Sequence, residues 1–193
     1  MNKKTLFPAL FLSILLLGCL PSFHPFCTEQ MKEAVPELEG KWQVLSHGKQ
    51  GATKRNPWIF KGNEAIVFDA ENRKGLLQVS FFRVDGTLYV DTISGEAQEG
   101  INAEWLCHLL PFHDLCKVIV DGDRVEIWGF DYEVFEKGLK DGRLDLPYVK
   151  REDLILFTAT PQQWTAFLKE KGNEGSLYEE KPLYVLERVK DNL

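Results

Sequence analysis

The run Leu77-Gln78-Val79-Ser80-Phe81-Phe82-Arg83-Val84-Asp85-Gly86-Thr87-Leu88-Tyr89-Val90-Asp91-Thr92-Ile93 decides the fold. Apolar, β-branched and aromatic residues crowd both sides of Asp85-Gly86. That dipeptide is a strong hairpin signal, because glycine accepts the positive φ that a tight two-residue turn requires. The expected strands are Leu77 to Val84 and Thr87 to Ile93. A second unit repeats the chemistry, with Lys117 to Val120 and Arg124 to Trp128 flanking Asp121-Gly122. Val84-Asp85-Gly86 and Val120-Asp121-Gly122 suggest either an internal repeat or the same turn chemistry used twice.

Working outward, the same strand-like pattern continues in both directions. Trp42, Val44 and Leu45 open a first strand after Gly40-Lys41. Trp58 to Phe60 and Ala65 to Phe68 flank a turn at Gly62-Asn63. Leu154 to Thr158 and Leu183 to Val189 read as further strands, the last with Leu183, Val185 and Glu187 on one face. Two short helices interrupt the strands. Asp131 caps the first, with Val134, Phe135 and Leu139 on one face and Gly138 or Gly142 near its end. Thr160 caps the second. Pro161 takes its first position, Gln163 completes a capping box, Trp164, Phe167 and Leu168 form the apolar stripe, and Gly172 stops it. About nine short strands joined by tight turns favour an antiparallel meander. The expected fold is therefore α+β and mainly β: an antiparallel barrel or curled sheet with two short helices.

The start of the chain carries the strongest functional signal. Lys3 and Lys4 form a positive head, Thr5 to Leu17 is apolar, and Leu16-Leu17-Gly18-Cys19 follows. The apolar run is shorter than the roughly 20 residues a membrane-spanning helix needs, and it contains Pro8. It reads as a removable secretory leader. The box resembles that of bacterial lipoproteins, in which cleavage falls between glycine and cysteine, here Gly18 and Cys19. The resemblance implies that Cys19 is acylated and becomes the mature N-terminus. Leu20 at the next position, in place of aspartate, points to the outer membrane. The expected organisation is a lipoprotein signal peptide at 1–18, a lipidated tether at 19–37 interrupted by Pro21, Pro25 and Pro36, and one β-rich domain at 38–190. The expected location is a cell membrane, lipid-anchored, on the periplasmic face of an outer membrane or on the outer leaflet of a single membrane.

Composition narrows the function. Cleavage leaves 175 of the 193 residues, enough for one domain with its own core. Losing Lys3 and Lys4 takes the formal charge from −6 to −8. With no basic stripe, nucleic acid is not an expected partner. Adhesion to an anionic bilayer by charge is disfavoured too, so the lipid has to hold the protein.

Two family resemblances add to this reading. Gly40-Lys41-Trp42 resembles the Gly-x-Trp of lipocalins, where the tryptophan packs across the closed end of an eight-stranded barrel. Most of the mature chain resembles a family of small bacterial lipoproteins of uncharacterised activity. The matching features are Gly18-Cys19-Leu20 through Thr28-Glu29, the Gly-x-Trp, Leu109-Leu110-Pro111-Phe112-His113, Val120 to Asp123, Asp131-Tyr132, and Leu156 to Lys171. This resemblance implies a location and a lipocalin-like barrel, and it carries over no catalytic residue.

Several constellations are candidates for chemistry. Cys107 and Cys116 bracket a short proline-containing stretch and are the expected disulfide; Cys27 is then left over, or pairs with one of them, and the plainest reading is three thiols without any bridge. Cys107-His108 with His113 and Cys116 is also the densest set of metal-ligand types, and a metal site there is an alternative. The plainer reading has His113 bonded to a backbone carbonyl or to Asp114. Asp121, Asp123 and Glu126, and Glu133, Glu136, Asp141 and Asp145, are acidic clusters at turns and helix starts. They can serve acid–base or calcium chemistry, but lack the calcium-loop spacing and read as solvated. Ser80 and Ser94 lack a nucleophile-elbow context. No catalytic set emerges, and no cofactor is implied. Trp42, Trp58, Phe82 and Trp128 are candidates to line a cavity for a small apolar ligand. The expectation is a membrane-anchored, non-enzymatic envelope lipoprotein that binds or supports an envelope protein, with a carrier of a small apolar ligand as the alternative.

Overall fold

A computed structural model describes residues 20–47, 56–69, 71–95, 112–151 and 154–190. Among the described residues there are ten strands: β1 (Gly40–His47), β2 (Trp58–Lys61), β3 (Glu64–Phe68), β4 (Lys74–Val84), β5 (Thr87–Ser94), β6 (Asp114–Asp121), β7 (Arg124–Trp128), β8 (Tyr148–Arg151), β9 (Leu154–Phe157) and β10 (Tyr184–Arg188). Two α-helices, α1 (Tyr132–Lys140) and α2 (Pro161–Lys171), lie between β7 and β10. Strands β1 to β7 form an antiparallel meander, and β10 closes it between β7 and β1. The result is an eight-stranded closed barrel, as the strand pattern implies. Closure leaves the barrel without an edge strand. Strands β8 and β9 form a separate two-stranded sheet.

The hairpins explain the meander. Val84 pairs with Thr87 across Asp85-Gly86, both at positive φ (47° and 82°), so this turn is the one the sequence indicates. In the second hairpin Asp121 instead pairs with Arg124, and Gly122-Asp123 makes the turn. The two Val-Asp-Gly units therefore sit one residue out of step with their turns. Shared turn chemistry accounts for them better than a repeat.

Side-chain alternation builds two cores on opposite sides of one wall. The barrel interior holds Trp42, Val44, Trp58, Phe60, Val79, Phe81, Leu88, Val90, Val118 and Leu186, among others. The outward positions Phe82, Val84, Tyr89 and Leu115 belong to a second core, shared with Phe135, Phe157, Trp164 and Phe167 of the helical layer. In β10 it is Leu186, not Val185, that joins the interior cluster, so the strand runs one residue out of phase with the expected alternation.

Both helices start as expected. Asp131 accepts the Val134 N–H (3.0 Å), and Thr160 with Gln163 forms a capping box. Gly172 caps α2 at a place where nothing larger fits. A Cβ there would lie 2.4 Å from both the Leu168 carbonyl and the Tyr89 hydroxyl.

One end of the barrel is closed by Trp42 and Arg188. Trp42 is fully buried and donates from Nε1 to Leu38 O (2.8 Å). The Arg188 guanidinium lies 4.3 Å from the Trp42 ring, and donates to Glu39 O (2.8 Å) and to Glu37 O. A planar, fixed fork is needed to stack and bond at once, which lysine cannot reproduce. Arg188→Ala is expected to cost about 1–3 kcal/mol, and Arg188→Lys nearly as much, read from urea unfolding midpoints.

Candidate functional site

Cys19, the residue with the clearest expected role, directly precedes the described chain, so the site of interest is the junction that receives Leu20. The segment expected to be a tether is instead packed into the domain. Leu20, Ser22 and Phe26 are fully buried and Cys27 nearly so. Prolines that rule out a helix are compatible with an extended segment, and the apolar residues between them supply the burial.

Ser22 fastens the segment to two elements at once. Its N–H donates to His113 O and its carbonyl accepts the His113 N–H, both at 2.9 Å. On the other side the Phe157 N–H donates to Pro21 O (2.9 Å), and the Phe23 N–H to Phe157 O (3.0 Å). The segment thus extends the β8–β9 sheet and joins it to the barrel ahead of β6. Further along, Phe26 packs on Trp164 (ring centroids 4.7 Å), and the Glu33 N–H donates to Phe81 O (2.9 Å).

At the centre of the junction is a carboxylate–imidazole pair, its carboxylate buried and its imidazole partly so. Asp91 points outward from β5 and is almost wholly enclosed. Its Oδ1 lies 2.8 Å from His113 Nδ1, and its Oδ2 accepts the Phe26 N–H (3.1 Å). Burial pushes the Asp91 carboxyl above its ordinary value of 3.8, while the His113 hydrogen bond and charge, the Phe26 N–H and the Lys32 charge draw it partly back. A folded value above the unfolded one means that the folded chain takes up the proton more readily. The Asp91 contribution to stability is therefore greatest below pH 3.8 and falls as pH rises through the folded value. Asp91→Asn lacks that slope. Urea unfolding across a pH series should show the wild-type advantage over the variant shrinking as pH rises out of the acid range and then levelling. Parallel curves would contradict the assignment.

Cys27 belongs to the same neighbourhood but is not a nucleophile. Burial first, and then the Asp91 charge, push its thiol up to about 12, so it stays protonated. Asp91 and His113 together hold the N-terminal segment against β5 and the start of β6.

The other expected sites divide as follows. Gly18, Cys19, Cys107 and His108 lie outside the described residues. The expected Cys107–Cys116 bridge is not formed: Cys116 is a free, buried thiol, pushed up to about 12 by burial. It points into the barrel with Val90 and Val118, whereas His113, an odd number of residues away on the extended chain, is turned to the opposite side. Cys116 and His113 therefore cannot share a metal ion. Among the described residues no group of three His, Cys, Asp or Glu side chains is placed to hold one.

The four aromatics expected to line one cavity are also split. Trp42 and Trp58 are inside the barrel, while Phe82 is in the outer core and Trp128 packs against it. Four of the seven acidic candidates are engaged locally: Asp123 with Lys190 (3.0 Å), Glu126 with Arg124 (2.9 Å), Glu136 with Lys150, and Asp141 with Arg143 (3.1 Å). A cleft of about 410 Å³ lies between residues 29–39 and β2–β4, over Val35, Leu38 and Phe60. Its acidic rim is taken up too, with Glu33 on Arg83 (2.8 Å), Glu29 on Lys32 (2.7 Å) and Glu39 accepting the Gly62 N–H (2.8 Å).

Asp91 is a site residue that stands outside every expected cluster. Its signal is an aspartate at an outward position inside an otherwise apolar and aromatic strand, where aspartate is disfavoured. No family model, no curated protein and no solved structure matches the chain.

Proposed function

We propose that this chain is a lipid-anchored, non-enzymatic envelope protein, held at a bilayer through Cys19 and serving to bind or support another envelope component. The observation that carries this reading is the continuity of two signals. Leu16-Leu17-Gly18-Cys19 supplies a leader and an acylation box, and the next residue, Leu20, is already fully buried in the domain. The three acyl chains of a lipoprotein would give firm attachment where one chain holds only marginally, since each buried methylene contributes about 0.8 kcal/mol. Leucine after the cysteine supports the outer membrane, periplasmic face. The non-enzymatic half of the reading is supported by the titratable groups at the junction, which spend their hydrogen bonds on holding the chain together.

Mass spectrometry of the protein extracted from membranes tests the anchor. The expected N-terminal peptide begins at Cys19 and carries a diacylglycerol thioether and an N-acyl group. An unmodified cysteine at that position would refute it.

A second reading, a carrier of a small apolar ligand, is favoured by the closed barrel and by Trp42, Trp58, Phe60 and Phe81 inside it. An eight-stranded barrel is either filled by side chains or just wide enough for one small ligand. A lipid-sized mass retained in native mass spectra would support the carrier. A bare polypeptide mass would remove it.

A further inference from the structure

Four large apolar side chains are strongly exposed among the described residues: Phe23 (52%), Val149 (55%), Tyr148 (40%) and Ile119 (41%). Three of the four belong to the small sheet made by residues 21–23, β9 and β8. Phe157 of β9 is level with both Ser22 and Tyr148. Side chains alternate along each strand, so Ser22, Phe157 and Tyr148 share the side turned toward the core. Their neighbours Phe23 and Val149 share the other side, and Phe112 joins them, edge-on to Phe23 with ring centroids 5.2 Å apart. This apolar face begins within four residues of Cys19.

We propose that this face, Phe23, Phe112 and Val149, lies against the bilayer, so that the domain is docked flat on the membrane and does not swing on a leash. The proposal rests on the anchoring reading above. Its further argument is where the chain ends. Leu20 is fully buried, and successive Cα atoms are about 3.8 Å apart, so an acylated Cys19 has no slack between lipid and fold. Whichever surface surrounds Leu20 must meet the headgroups, and Phe23, three residues farther along the chain, is exposed. Aromatic and aliphatic side chains of this kind sit favourably at the headgroup boundary. Ile119 is the internal control. It lies six residues beyond His113 along β6, roughly 20 Å away at the strand rise.

The test uses the full chain, processed in a bacterial host and reconstituted in phosphatidylethanolamine–phosphatidylglycerol vesicles. In a Cys107→Ser background, Val149→Cys, Phe23→Cys and Ile119→Cys each carry an environment-sensitive thiol dye. The buried thiols of Cys27 and Cys116 stay unlabelled in the folded protein. The expected result is a blue-shifted emission at 149 and 23 that is quenched several-fold by spin-labelled lipid, with neither change at 119. A protein that floats with the vesicles while 149 and 23 report water, as 119 does, would overturn the docking and leave the anchor standing. A protein that does not float would remove the anchor and the docking together. A blue shift that spin-labelled lipid does not quench, and that grows with protein density, would assign the face to a second copy of the chain and also overturn the proposal.

Discussion

If Cys19 is the acylation site proposed above, Cys19→Ser is expected to leave the chain uncut and unacylated, so that it accumulates with residues 1–18 still attached. The reason is the nucleophile. A cysteine sulfur ionises near pH 8.5 and attacks readily, whereas a serine hydroxyl does neither without a partner base. Without the thioether the proposed anchor would lose its diacylglycerol, whose methylenes would each contribute about 0.8 kcal/mol in the bilayer. The precursor would still carry the apolar stretch Thr5 to Leu17, so membrane fractionation alone is a poor readout. Intact mass is the decisive one. A serine variant cut between residues 18 and 19, and still retained by the envelope, would defeat the anchoring reading.

Trp164→Ala is expected to be the most damaging single change within the domain. Trp164 is fully buried in α2, with ring centroids 4.7 Å from Phe26, 5.1 Å from Phe157 and 5.8 Å from Phe167. It therefore touches the N-terminal segment, β9 and its own helix at once. Truncating a buried tryptophan costs about 3–5 kcal/mol through lost transfer energy and an unfilled void. For a domain of this size that is a fall in Tm of roughly 10 °C. Trp164→Phe should cost about 1 kcal/mol, because it keeps most of the ring volume. It also removes an indole Nε1–H that is buried without an acceptor. Thermal unfolding followed by circular dichroism separates the two. Equal losses would mean that the indole nitrogen matters more than the packing.

Local chemistry made much of the barrel readable. Asp85-Gly86 sits in its turn with both residues at positive φ, and the Thr160–Gln163 capping box forms as written, because turns and caps are decided within four residues. What failed to show was set over longer distances. Asp91 and His113 are 22 residues apart and meet only because β5 and β6 pair. Tyr148 to Arg151 has mixed polarity and pairs as β8 only because β9 offers a partner. Residues 20–38 have the composition of a linker punctuated by proline, yet Leu20, Phe26 and Cys27 find apolar surface on the outside of the barrel. The Cys107–Cys116 pairing was inferred from spacing, which carries no information about which way a strand side chain faces. Cys116 faces inward.

Phe81 and Phe82 are neighbours in β4, yet one lies inside the barrel and the other beneath the helices. A shift of this strand by one position would empty both compartments simultaneously, because period-two alternation exchanges every inward group for an outward one. A loss of that register would therefore disturb both compartments together. Amides of the helical layer should exchange with solvent at the same slow rate as those of the strands beneath, as a single cooperative unit.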